Sequence, residues 1–88
     1  MIETTLTVRN RAGLHTRPAA MLVKIASRFK SDIYLQRDGF NINAKSIIGV
    51  MTLAAEQGAI VGLMVEGPDE VDAAAAIEEL FNSGFGEP

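Results

Sequence analysis

The chain has no cysteine, no tryptophan, one histidine and one tyrosine among its 88 residues. Without cysteine there is neither a disulfide to staple the fold nor a thiolate to react or bind metal. With a single histidine besides, a structural zinc site is not expected, and neither is any other metal or cofactor. No apolar run approaches the roughly 18–20 residues of a membrane-spanning helix, so membrane insertion is not expected. The N-terminus reads as a strand, not as a basic segment followed by an apolar one, which argues against a signal peptide and for a cytoplasmic protein. Net positive charge is also missing: the formal charge is −3. Nucleic-acid binding needs clustered Lys and Arg and, on an RNA-binding sheet, exposed aromatics, and it is not expected.

What is present suits a packed chain. Hydrophobic residues make up 48% of the sequence and charged residues 22%, the balance of a globular chain rather than a disordered one. There is no repeat, linker or low-complexity stretch, and the length suits one domain over residues 1–88, expected as a monomer. Charge is distributed unevenly. Arg9, Arg11, Arg17, Lys24, Arg28 and Lys30 fall in the first third, while most of the acid lies from Glu56 to Glu87. A cationic face near the N-terminal third follows from that split.

Hydrophobic periodicity divides the chain into seven elements. Residues 1–8 alternate as a strand, with Leu6 and Val8 against Thr5, Thr7 and Arg9. Residues 10–13 form a loop ending in a turn glycine. From Thr16 the spacing becomes helical, with Ala19, Leu22, Val23, Ala26 and Phe29 as the buried stripe. Thr16, Ala20, Lys24 and Ser27 form the opposite face. Pro18 places the helix start near residue 15 or 16, because a first turn has no use for the N–H that proline lacks. Residues 33–37 and 40–43 read as a hairpin closed by Asp38-Gly39, with Phe40 and Ile42 on one face. Ser46 fits an N-cap for a helix from 47 to about 55. Residues 59–65 form an apolar, central strand. Asp69 reads as the cap of a last helix, with Ala73, Ala74, Ile77, Leu80 and Phe81 buried. Gly84 suits its left-handed close, and Phe85 is expected to fold back on Leu80. The order β-α-β-β-α-β-α predicts an α+β open-faced β-sandwich. It has a four-stranded, mainly antiparallel sheet with three helices on one face.

His15 is the candidate reactive group. Ordinary imidazole titrates near about 6.5, so much of it is unprotonated and nucleophilic at neutral pH. A helix N-terminus favours that uncharged form and offers free N–H groups to an anion attached to the ring. Arg17 adds a cation that can grip phosphoryl oxygens. The combination suits phosphoryl acceptance. The plain alternative is a histidine that only caps the helix or faces solvent. A small hydrolase would need a second catalytic group beside it, and Arg17 is not a base. The helix after Ser46 carries more apolar residues than one buried face needs, and some of them must be exposed.

Gly13-Leu14-His15-Thr16-Arg17-Pro18-Ala19 resembles the phosphohistidine signature of the HPr family, the histidine-containing phosphocarriers of the phosphoenolpyruvate:sugar phosphotransferase system. Lys45-Ser46-Ile47-Ile48-Gly49-Val50-Met51 resembles the regulatory serine motif of the same family. The resemblance covers essentially the whole chain. It implies that His15 receives phosphate on Nδ1 from enzyme I, that Arg17 steadies it, and that a IIA domain takes it onward. No free-standing catalytic activity is implied. Ser46 would be phosphorylated by an HPr kinase/phosphorylase, and Ile47, Ile48 and Met51, rimmed by Thr16, Arg17, Ala20, Lys24 and Thr52, would dock partners. A nitrogen-related regulatory branch that moves no sugar shares the fold and the signature. Ser27, at a position often basic in the family, weakens the cationic rim. The segment after Gly84 has no role implied.

Overall fold

The computed structural model describes residues 1–87; Pro88, the end of the tail, lies outside them. Four strands, β1 (Ile2–Thr7), β2 (Asp32–Arg37), β3 (Phe40–Asn43) and β4 (Ile60–Glu66), form one sheet in the order β1-β4-β2-β3. All three pairings are antiparallel, so the central place expected for the apolar β4 holds. Strand alternation explains the open face. Leu6, Ile33, Leu35, Val61, Leu63 and Val65 are buried beneath the helices, while Glu3, Thr5, Gln36 and Ile60 are exposed on the other side. Between β2 and β3, Asp38 (φ 50°) and Gly39 (φ 84°) both adopt left-handed backbone, as a two-residue hairpin closed by Arg37 and Phe40 requires. Phe40 itself remains mostly exposed on this edge strand, whereas Ile42 is partly buried against the core.

Three helices cover the inner face: α1 (Thr16–Ala26), α2 (Ile47–Thr52) and α3 (Glu70–Asn82). Ala19, Leu22 and Ala26 of α1 meet Ala73, Ala74, Ile77 and Phe81 of α3 in one core with Val50 of α2. Each fully buried large side chain among these contributes about 1.5–3 kcal/mol by leaving water.

Four local expectations change. First, α1 ends at Ala26, before Phe29. Its last turn tightens through Arg28 N–H to Ile25 O and Phe29 N–H to Ala26 O, and Lys45 Nζ donates to the Phe29 carbonyl at 2.8 Å. Second, α2 stops at Thr52 rather than near residue 55, because Ala54 turns left-handed (φ 48°) and sends the chain toward the loop that precedes α1. Third, Asp69 stands at the start of α3 but makes no side-chain cap. Its carboxylate instead accepts from the Lys30 and Ser31 amides, at 2.9 Å each, and from the Ser31 hydroxyl. The Ser31 hydroxyl first, then the Lys30 amide, hold it at a pKa of about 2. Fourth, Gly84 (φ 63°) ends α3 in the left-handed region as expected, but Phe85 packs edge-on against Phe81, with ring centroids 4.9 Å apart. Phe85 is fully buried although its own φ is 58°, inside the short 3-10 turn Gly84–Gly86. That burial outweighs the local backbone strain and fixes the direction of the tail.

Candidate functional site

His15 occupies the N-cap of α1, with extended backbone (φ −74°, ψ −177°), and its ring makes no capping bond. The side chain is exposed. Its carbonyl accepts the Ala19 N–H at 2.9 Å and so closes the first turn of the helix. The Thr16 and Arg17 amides precede the first N–H with a carbonyl four residues back, and Pro18 has no amide hydrogen. No acidic residue stands in that turn, so α1 presents its positive end beside the ring without an anion of its own.

The loop leading into His15 is seated backbone on backbone. Leu14 N–H donates to Ala55 O at 2.9 Å. Gly13 (φ 69°) lies so close that a Cβ there would run into the Ala55 carbonyl oxygen. Asn10, 1% exposed, ties the loop from inside: its Nδ2 donates to Gly13 O at 2.9 Å and to Glu87 Oε1 at 3.0 Å. A cleft of about 270 Å³ opens beside the imidazole, lined by Ala12, Leu14, His15, Met51, Ala54, Ala55 and Glu56.

The expected residues divide into those that meet here and those that stand apart. His15, Thr16 and Arg17 share the first turn, and Met51 reaches the cleft from α2. Ala20 and Lys24 follow along the exposed side of α1. Ile47, Ile48 and Met51 are all exposed, Ile48 at 80%, so the surplus of apolar residues on α2 is a surface patch. Thr52 is exposed too and donates its hydroxyl to Ile48 O at 2.7 Å. Ser46 caps α2, its Oγ accepting from Gly49 N–H at 3.1 Å. It sits at the far end of α2 from Met51, about 7 Å of helical rise away, and does not line the cleft.

Three participants escaped sequence reasoning. Asn10 is a buried tether, Glu56 lines the cleft, and Glu87 is the tail carboxylate, whose Oε2 stands 3.9 Å from Arg17 Nη1. The tail thus shares the guanidinium expected to hold phosphate. Sequence offered no signal for these contacts, because no local periodicity links residues 10, 17 and 87.

An exposed, uncommitted imidazole at an open helix end, beside a guanidinium and an apolar patch, can take up a phosphoryl group and offer it to a second protein. That is the arrangement of a small phosphocarrier on an open-faced sandwich. A family model for the PTS HPr component phosphorylation site matches residues 2–83. The chain is 56% identical over 87 residues to the phosphocarrier protein HPr of Treponema pallidum (strain Nichols), covering 99% of each. It superimposes with a TM-score of 0.96 on a crystal structure of HPr-C-His from Thermoanaerobacter tengcongensis, at 46% identity over 100% of this chain and 99% of that one. An HPr dimer from the same organism gives a TM-score of 0.80, at 47% identity over 99% of this chain and 100% of that one. The chain belongs to the HPr family of phosphocarriers of the phosphotransferase system.

Proposed function

We propose that the protein, acting as one carrier domain, accepts a phosphoryl group on His15 from phospho-enzyme I and passes it to IIA domains of sugar permeases. What carries this reading is His15 itself, exposed at the N-cap of α1 with Arg17 two residues on. The neutral ring attacks phosphorus through Nδ1; the bond to the donor breaks as the new P–N bond forms. The Thr16 and Arg17 amides and the Arg17 guanidinium then lie to hand for the dianion. Transfer onward is the reverse step with a different acceptor, so the site needs no base of its own. The exposed Ile47, Ile48 and Met51, with Arg17 and Lys24 at the rim, suit brief docking to partners with acidic edges. The relatives named phosphocarrier protein HPr favour this reading over the nitrogen-related branch.

Mixing the protein with phosphoenolpyruvate, Mg²⁺ and enzyme I tests it. The expected result is a mass gain of one phosphoryl group, lost in mild acid and not seen in His15→Ala. Continuous turnover of a substrate by the isolated protein would overturn it in favour of a hydrolase. Ser46 is the regulatory phosphosite in the same reading, since a phosphate at the start of α2 is compatible with its capping place. Ser46→Asp is expected to weaken binding to enzyme I, and unchanged affinity would remove Ser46 from the account.

A further inference from the structure

Among the described residues, Glu56 is the one acidic residue that lines the cleft beside His15, and its carboxylate is not free. Arg37 holds both its oxygens, Nη2 lying 2.6 Å from Oε1 and 3.1 Å from Oε2. Arg37 is the last residue of β2 and reaches the turn after α2 from the sheet. Its other terminal nitrogen, Nη1, donates to the carbonyls of Leu53 at 3.3 Å and Ala54 at 3.2 Å. The next carbonyl along, that of Ala55, receives the Leu14 amide immediately before His15. A single guanidinium therefore braces the turn on which the His15 loop rests and pairs with Glu56. A third contact, Nε to Asp38 Oδ2 at 3.5 Å, involves a carboxylate on the exposed hairpin tip, outside the cleft.

We propose that Arg37 is a charge-masking and positioning residue for phosphoryl transfer at His15. It pairs with Glu56, so that an incoming phosphoryl anion meets the positive end of α1 with the acidic residue lining the cleft already matched by a cation. The proposal deepens the carrier reading and rests on His15 as acceptor. Loss of Arg37 leaves Glu56 as an unpaired anion on the lining of the cleft beside His15. Arg37→Gln removes the charge while keeping an amide donor for the turn carbonyls, which separates masking from bracing. Arg37 touches neither donor nor acceptor, and it acts through Glu56 and the turn.

The test uses phosphoramidate, a small anionic phosphoryl donor that needs no enzyme. Its P–N bond breaks, ammonia leaves, and phosphorus bonds to the His15 ring. Diethyl pyrocarbonate, a neutral reagent, acylates the same and only histidine and reports its access and nucleophilicity. Arg37→Gln is expected to slow phosphorylation by about three- to tenfold at low salt, with carbethoxylation unchanged. Arg37→Gln/Glu56→Gln returns to the wild-type rate, Glu56→Gln alone is not slowed, and added salt narrows the gap between Arg37→Gln and wild type. Arg37→Lys, which keeps a charge but cannot grip both oxygens, gives intermediate slowing and serves where Arg37→Gln does not fold. An equal fall in both reactions, a double variant as slow as Arg37→Gln, or no reaction of the wild type with phosphoramidate would each overturn the proposal. A protein phosphorylated by phosphoramidate in this pattern, but not by phospho-enzyme I, would lose the carrier reading and keep this one.

Discussion

Neutralising Glu87 is expected to shift the protein toward its phosphorylated state. The tail carboxylate lies 3.9 Å from Arg17. At that distance, with an effective dielectric constant of about 20, the bare attraction is about 4 kcal/mol. The guanidinium is 75% exposed and the carboxylate 14%. Water and ions screen most of that attraction, and exposed pairs of this kind contribute about 0.2–1 kcal/mol. On the proposed carrier reading, a phosphoryl group on His15 would compete for the same guanidinium. Glu87→Gln removes the competitor and keeps an oxygen for the Asn10 amide, so the phosphorylated state gains up to about 1 kcal/mol, or about fivefold in the equilibrium. The assay holds the ratio of phosphoenolpyruvate to pyruvate fixed with enzyme I present and reads the phosphorylated fraction from intact mass at alkaline pH. Repeating it in an Arg17→Ala background closes a double-mutant cycle. A fraction that is unchanged or lower in Glu87→Gln, or an equal gain with and without Arg17, would refute the reasoning.

Other perturbations probe the frame. Phe85→Ala removes a fully buried ring stacked edge-on against Phe81 and should cost about 3–5 kcal/mol in urea unfolding; a loss under about 1 kcal/mol would show that the tail is not anchored there. Asp69 has a folded pKa of about 2, below its ordinary value of 3.8. Its contribution is therefore complete above the ordinary value and is lost as pH falls from about 4 to 2, and Asp69→Asn should flatten the acid-unfolding curve in that window. An unaltered curve would assign the acid sensitivity elsewhere. Ala54→Gly releases an exposed residue from left-handed backbone and should raise stability by about 0.5–1 kcal/mol after the entropy of glycine is counted; a lower melting temperature would contradict this.

Local rules made much of the fold legible. Period-two alternation marks the strands, Asp38-Gly39 announces its turn, and the stripe from Ala19 to Ala26 with Pro18 places the opening of α1 near residue 15 or 16. These features depend on residues within a turn or two of one another. The end of α2 is not legible locally, because nothing nearby forbids Ala54 and Ala55 from continuing a helix. The seat that the segment makes for Gly13 and Leu14 stops it, and those residues are some 40 positions earlier. Asp69 reads as a cap from its neighbours alone, yet the amides it serves belong to Lys30 and Ser31.

The amino-acid order therefore determined which elements form and that His15 stands where a helix opens, since hydrophobic period, turn chemistry and capping act over a few residues. Packing alone decided what surrounds that side chain. Closing the sheet and burying Phe85 carry Glu87 to Arg17 across seventy residues, and the approach of β2 to the turn after α2 gives Arg37 both carboxylate oxygens of Glu56. Such contacts follow from how layers stack, and no spacing along the chain encodes them.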